Sequence, residues 1–452
     1  MNVEEIRQNQ AGMILKFSVP AIISMLLTAF ITIADGFFMG NYVGKEGIAA
    51  VNLGLPIVYL YLGVGLMISI GGVAMAGMAL GGGEGETGNQ IFRQTIATVI
   101  AASVLLSCVM LFCFSPMLSL LRAEGQVNRY FREYYWLMLL ELPVMVVNSS
   151  FGMFIRGEGN PDYFLKVTIL NALLNVALDY LFSGCLAWGA GGIAAASLLS
   201  ALASLACILQ YFQKRAHIYH LGAFHFSGRL FRKGILNGSS EFIGEMSIGI
   251  AMFAYNFVIM RNIGVDGVTA FTIAGYAAYG FSMLVVGFGQ GVSPLISFAY
   301  GAKEYRLARE LRRRTNRYVL AAGAAVFLAM SAASGRYGSL FVRNQQIEGM
   351  IQSGMMIFTS SFLFAGINAI TSFYFTATGR ALESAVISFL RGLGLLLICI
   401  FTLPVLFGMT GVWMAAPVTE FVTLLVTLVF LGREKKAVFH STKPSFSFQS
   451  PK

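Results

Sequence analysis

The sequence predicts an all-α polytopic membrane protein: twelve transmembrane helices in two like-oriented six-helix bundles, related by a pseudo-two-fold along the membrane normal. Three observations carry that reading. Of 452 residues 57% are hydrophobic and 12% charged, more apolar surface than a water-soluble fold can hide. Apolar stretches long enough to cross about 30 Å of hydrocarbon, which takes about 20 residues, recur along the whole chain. Finally, the chain matches itself when shifted by 220 positions.

In chain order the spans are 12–36, 48–78, 92–121, 130–155, 163–187, 191–213, 234–260, 267–297, 317–335, 349–377, 384–407 and 410–432. The first follows an acidic start, MNVEEIRQNQ, and exceeds a signal-peptide core, so it is expected to be a retained helix with its N-terminus in the cytoplasm. An even number of spans returns the C-terminus to the same side. The RGEGNP stretch (156–161) reads as the turn between helices four and five, with Gly and Pro ending one and starting the next. Gly287 and Gly291 form a small-xxx-small pair on helix eight, suited to close helix contact.

The net charge of +10 reports orientation. Of the 31 Lys and Arg, only Lys45, Arg122, Arg129, Arg132, Arg261, Arg336 and Arg343 fall outside under this topology, as the positive-inside rule requires. No nucleic-acid partner is implied. Cys108, Cys113, Cys185, Cys207 and Cys399 lie in or beside apolar segments without paired spacing, which argues for small packing residues against a disulfide framework or zinc site. The four His all fall in cytoplasmic segments, and no Ser/His/Asp set assembles in one leaflet, so no enzyme activity is expected. RGEGNP lacks the glycine spacing, the lysine and the strand context of a phosphate loop, which sets aside an ATP-driven pump.

At the offset of 220, GKEGIAAV (44–51) meets GVDGVTAF (264–271) and QIFRQT (90–95) meets ELRRRT (310–315); Tyr59, Gly71, Gly81 and Gly159 meet Tyr279, Gly291, Gly301 and Gly379. Six helices separate the copies, so both halves share one orientation. The expected organisation is a first lobe (1–213), a cytoplasmic linker (214–233), a second lobe (234–432) and a cytoplasmic tail (433–452). Two such bundles around a midplane cavity are the architecture of an alternating-access transporter.

Several stretches then resemble the multidrug and toxic compound extrusion (MATE) family: FSVPAII (17–23), DGFFMGNYVGKEGIAAVNL (35–53), RGEGNP and GQGVSPLISFAYGA (289–302). The resemblance runs from the first helix to the last. It implies a two-lobed exporter in the bacterial cytoplasmic membrane that drives cationic or amphiphilic compounds outward in exchange for H⁺ or Na⁺. It implies no other cofactor, and a monomer with lipid and small molecules as partners.

The residues point to where coupling would sit. A carboxylate at bilayer depth costs about 2.5–3.5 kcal/mol on insertion scales, so Asp35, near the outer end of helix one, needs compensation. Ser24, Thr28, Thr32 and Asp35 follow helical spacing, and so do Asn171, Asn175 and Asp179 on helix five. Two carboxylates converging with amides can share a proton or bind Na⁺ through oxygen, in which case Asp35 and Asp179 are the metal ligands. At the offset of 220 these acids face Tyr255 and Cys399, so the fold does not require them.

The resemblance supports Asp35, Asn175 and Asp179 as ion-coupling positions, more loosely Asn148, and Pro20 as the point at which helix one bends. The structural alternatives are that Asp35 caps a helix end, that Asp179 pairs with a loop and that Asn171 makes an interhelical bond. On helix seven, Glu241 and Glu245 with Asn256 form another polar stripe, a candidate substrate or ion site in the second lobe; Glu241 is placed near the inner end of its helix. For Glu141 and Glu420 structural pairing is expected, with Arg391 as the partner of Glu420. The rival readings are a lipid-linked precursor flippase, which wants a basic cavity, and a passive channel or scaffold, which needs neither the proline nor the acid stripes.

Overall fold

The structure, a computed structural model, describes residues 2–120, 125–342 and 344–440. Arg122, Arg343, Lys443, Lys452 and the tail beyond His440 lie outside the described residues.

A short helix α1 (Val3–Gln8) leads into α2 (Gln10–Phe38). The first lobe continues with α3 (Lys45–Leu53), α4 (Leu55–Gly81), α5 (Gly85–Leu120), α6 (Gly125–Glu158), α7 (Pro161–Asp179) and α8 (Gly189–Lys214). The second is built from α9 (Gly228–Asn262), α10 (Val265–Gly301), α11 (Tyr305–Tyr337), α12 (Gln345–Thr359), α13 (Phe362–Ala377), α14 (Ala381–Phe389) and α15 (Leu395–His440). Ten helical stretches are individually long and apolar enough to span a bilayer, and α12 with α13, bent by 43°, makes an eleventh. The longest stretch, Ala381–Lys435, breaks at Gly408, whose φ of 58° and ψ of −137° interrupt the helix. It therefore supplies two spans, and the twelve expected helices are accounted for.

Details of the boundaries differ from expectation for local reasons. The second span is α3 and α4, separated at Gly54. Residues 228–233, read as linker, already form the start of α9, because Ser227 caps it by accepting from the Leu230 N–H. Cys108, Cys113 and Cys185 are exposed on the protein surface, and of the five only Cys399 is buried as a packing residue.

The duplication is visible in the backbone. Gly44 and Gly264 have φ of 100° and 101°, Gly159 and Gly379 have 104° and 74°, and Gly83 and Lys303 have 81° and 64°, each pair 220 positions apart. Helix contacts repeat too. In the first lobe α2 packs on α7, and α4 on α5 and α6; in the second α9 packs on α14, and α10 on α11 and α13. Even a side-chain bond recurs: Asn148 Nδ2 donates to the Ala201 carbonyl at 2.8 Å, and Asn368 Nδ2 to the Glu420 carbonyl at 2.9 Å.

The lobes meet through α2 against α10, α9 against α4, and α4 against α10. At the end of the bundle where α4 and α10 finish, these contacts are backbone to backbone. A Cβ at Gly81 would strike the Phe298 carbonyl, and one at Gly301 the Met78 carbonyl. One row deeper, Gly291 lies on the backbone of Phe17 and Ser18, and Gly287 on Ile22, the close approach their spacing implies. The half of the seam that holds Gly81, Gly287, Gly291 and Gly301 is therefore shut. In the N-terminal half of α10, Tyr276 and Tyr279 are about half exposed.

Helix α2 is shared between lobes. Met13, Ile14 and Phe17, with Ile6 of α1, pack into a second-lobe core of Val292, Leu295, Leu307 and Phe375. Farther out, Phe38 belongs to the first-lobe core. Pro20 lies buried in the stretch where the helix crosses over, and α2 runs through it without a break.

Candidate functional site

The spacing of Asn171, Asn175 and Asp179 by four turns them to one face of α7, and that face packs on α2. Both acid-bearing helices end in a widened turn: the Gly44 N–H bonds the Met39 carbonyl at 2.9 Å, and the Leu186 N–H bonds the Leu181 carbonyl at 2.9 Å. Such i→i+5 turns are rare and concentrate at functional sites.

Asp35 and Asp179 lie within hydrogen-bonding reach of each other. Asn175 and Asp179 are both 0% exposed. Asn175 Nδ2 donates to Ser197 Oγ at 3.2 Å, and Ser197 Oγ donates to Asp35 Oδ2 at 3.4 Å. Ser197, from α8, and Tyr134, from α6 and within electrostatic reach of both aspartates, are neighbours that helical periodicity on α2 and α7 does not reveal. Asp35 Oδ1 and both Asp179 carboxyl oxygens are buried with no donor among the described residues. Two ionised carboxylates have no hydrogen to offer each other, so the face-to-face contact calls for a proton between them or a small cation bound by oxygen.

Other expected members fall elsewhere. Thr28 and Thr32 donate to the carbonyls of Ser24 and Thr28 on their own helix, while Ser24 Oγ is buried with no partner among the described residues. Asn148 lies on α6 and ties it to α8 at Ala201, one turn from Ser197 along that helix; its counterpart Asn368 does the same in the lobe without the acid pair. Asn171 Oδ1 is buried with no partner among the described residues. Glu141 is 7% exposed, and its Oε2 is buried with no partner among the described residues.

In the second lobe the expected pairing is present. Arg391 donates to Glu420 Oε1 from Nε at 3.1 Å and Nη2 at 2.9 Å, and Asn368 Nδ2 donates to Oε2 at 2.7 Å. Thr427 donates to Asn368 Oδ1 at 3.0 Å, closing the network.

Glu245 faces the seam between the lobes. A Cβ placed on Gly63 of α4 would lie 3.5 Å from its Cβ, and Tyr59 and Tyr279 are both within electrostatic reach of its carboxylate. These tyrosines are 220 positions apart, so the pseudo-symmetry brings one from each lobe to the same acid. Glu241 was placed near the inner end of its helix, but α9 starts at Gly228, which sets Glu241 roughly 20 Å along it at 1.5 Å per residue. There it accepts weakly from Ser240 Oγ at 3.4 Å, with Glu245 and Arg391 in reach.

A pair of parallel six-helix repeats closed at one end of their seam, with acids buried in one lobe and at the seam, defines a polytopic membrane transporter. The sequence profile of MatE matches residues 20–181 and 242–402, one copy in each lobe. The chain belongs to the MATE family. It is 22% identical over 439 residues to the multidrug export protein MepA of Staphylococcus saprophyticus, covering 93% of this chain and 94% of that one. To MepA of Staphylococcus aureus it is 23% identical over 445 residues, with the same shares covered. Among solved structures, an outward-facing multidrug-resistance MATE family transporter of the MOP superfamily superimposes with a TM-score of 0.89 at 22% identity, covering 95% of this chain and 96% of that one. A MOP superfamily transporter from Pyrococcus furiosus superimposes at 0.87, with the same identity and shares.

Proposed function

We propose that this protein is a secondary active exporter of cationic or amphiphilic compounds, driven by inward H⁺ or Na⁺ across the bacterial cytoplasmic membrane, with both termini in the cytoplasm. The observation that carries the reading is the contact between the Asp35 and Asp179 carboxyls, buried, with three of four oxygens lacking a donor among the described residues. A proton or Na⁺ arriving from the outer side completes that contact and draws α2 onto α7. Because the inner half of α2 is packed in the second lobe, tightening at Asp35 pulls on the seam between lobes, and Pro20 lets the helix bend as it does so. Asn175 and Ser197 orient Asp35, and for Na⁺ they add oxygen ligands beside the carboxylates. Asn148 acts behind this set by holding α6 to α8.

The transported cation is proposed to sit at Glu245 between Tyr59 and Tyr279, where a carboxylate cancels its charge and two rings offer cation–π faces. Glu241 lies beside it as a second acid of the same helix. Each inward proton supplies about 1.4 kcal/mol per pH unit and about 2.3 kcal/mol per 100 mV. Those energies are enough for about a tenfold gradient of a neutral solute per 1.4 kcal/mol.

The MepA relatives, named as multidrug exporters, support the substrate class. Transport of an ethidium-like cation into proteoliposomes, with a pH or a Na⁺ gradient imposed separately, tests the reading. Exchange with one gradient, lost in Asp35→Asn while the protein stays folded in the membrane, is expected. Full efflux by Asp35→Asn, or flux that ignores both gradients, would overturn it.

A further inference from the structure

Helix α11 opens with the sequence YRLARELRRRTNR, and its arginines do not all do the same thing. Arg312 turns inward, 6% exposed, and stacks over the Tyr374 ring at 5.2 Å. Arg309 Nε donates to the Tyr305 carbonyl at 3.2 Å, within its own helix. Arg306, Arg313, Arg314 and Arg317 point outward. Arg306 is paired with Glu310 at 3.1 Å, and Arg314 is also within electrostatic reach of that acid, but no ion pair forms to Arg313 or Arg317 among the described residues.

At 100° per residue these four share one side of the helix, and the exposed residues that follow, Leu320, Ala321, Ala325 and Leu328, continue that side into the apolar part of the span. The apolar window of Tyr305–Leu340 is 11% buried, the smallest share among the ten long helical stretches, so this side is open on the surface of the fold. A row of guanidinium groups leading into a stripe of small and aliphatic side chains has the form of a phospholipid: phosphate at the head, acyl chain below.

The first lobe shows that the fold does not need this arrangement. The equivalents of Arg306, Arg313, Arg314 and Arg317 are Glu86, Arg93, Gln94 and Ala97. There the surface is already occupied. Arg93 donates to the carbonyls of His220 and Ala223 at 2.8 and 3.1 Å, and Gln94 exchanges hydrogen bonds with Ser227 at 2.9 and 3.1 Å, so the linker lies across it. No described segment lies across the corresponding face of α11.

We infer that Arg313, Arg314 and Arg317, assisted by Arg306, bind the phosphate of an anionic phospholipid of the cytoplasmic leaflet, with its acyl chain along Leu320, Ala321 and Leu328. Guanidinium forks suit phosphate oxygens, and the leaflet concentrates anionic headgroups at this depth. The occupant is a lipid because the charge row runs without a break into an exposed apolar stripe. Residues 441–452, STKPSFSFQSPK, carry two lysines and no acidic side chain, so charge complementarity does not favour the chain's own tail.

The test is native mass spectrometry of the full chain, titrated with phosphatidylglycerol or phosphatidylcholine. Phosphatidylglycerol is expected to be retained at several-fold lower concentration, and each neutralised arginine to weaken that retention about fivefold. R313K/R314K/R317K, which keeps the charge, should retain most of it, while R313Q/R314Q/R317Q should not; the single variant R317Q gives the same direction with less risk to insertion. Equal phosphatidylglycerol retention by wild type and the glutamine variants would overturn the inference. Stripping of the lipid by millimolar inorganic phosphate would overturn it too, by showing a plain anion site. Retention that appears only after residues 441–452 are removed would assign the face to the tail and end the lipid reading.

Discussion

Arg391 and Glu420 clasp each other inside the second lobe, Nε and Nη2 of the arginine on one carboxylate oxygen at 3.1 and 2.9 Å, while Asn368 holds the other at 2.7 Å. Every oxygen of that acid is satisfied. The Asp35–Asp179 pair is its opposite, with oxygens turned toward each other and donors missing. The contrast separates an acid whose oxygens are all bonded from a pair of acids with oxygens left open.

Removing one member of the clasp should therefore act on stability. Arg391→Ala leaves a buried carboxylate with half its partners, a loss of about 3–5 kcal/mol, whereas replacing both residues with apolar side chains should recover most of it. Thermal unfolding in detergent reads this, and an equally unstable double variant would count against a structural role.

At the first-lobe site, Ser197→Ala removes a single donor to Asp35. With the long 3.4 Å bond, about 0.5–1.5 kcal/mol is at stake, so the Na⁺ concentration for half-maximal transport should rise by about twofold to tenfold with maximal rate kept. A collapse of maximal rate instead would place Ser197 in a step beyond ion binding.

Tyr59→Ala and Tyr279→Ala should each raise KM for a cationic substrate, by about threefold to thirtyfold for the loss of a ring face, with kcat little changed. Tyrosine-to-phenylalanine variants keep the ring and should behave as wild type. Measured KM values that follow the hydroxyl and not the ring would redirect attention to hydrogen bonding.

The closed end of the seam makes a steric prediction. Gly81→Leu and Gly301→Leu each place a side chain where the opposite lobe's carbonyl stands, so neither variant can close as seen here. Cysteines introduced on the inner halves of α4 and α10 should become labelled from the cytoplasm, with transport down at least tenfold. Unchanged labelling would mean the seam can shift to absorb the side chain.

Glu158 supplies the last prediction. Its Oε1 accepts from the backbone N–H groups of His217, Ile218 and Tyr219, and its Oε2 accepts from the Tyr211 hydroxyl at 2.6 Å. Glu158→Ala orphans those donors, at about 1–3 kcal/mol each where buried. Protease cutting within residues 215–227 should accelerate at least tenfold; an unchanged rate would show that Arg93 and Gln94, with Asn89 Oδ1 accepting from the His220 N–H at 2.9 Å, hold the linker alone.

Much of this was legible in the sequence because it is periodic. Span length, the repeat at 220 positions and the one-sided stripe of Asn175 and Asp179 are regularities along a single strand of text. The Arg391–Glu420 pairing was legible because an intramembrane charge wants an opposite one. Ser197, Tyr134 and the tyrosines beside Glu245 were not, since periodicity says which way a helix face points and not which neighbour it meets. Glu158 looked like part of a turn because its partners are backbone groups, which carry no mark in the sequence. Thr28 and Thr32 share the side of Asp35 yet spend their hydroxyls on their own helix, a choice that spacing cannot reveal.

The divided allegiance of α2 also bears on how the protein is made. The half of α2 from Met13 to Phe17 finds its packing partners in α10 and α11, several hundred residues downstream, so it cannot pack until most of the second lobe has been made. Pro20 leaves the Lys16 carbonyl without its usual N–H donor. The core around this half-helix is thus completed only by the later part of the chain.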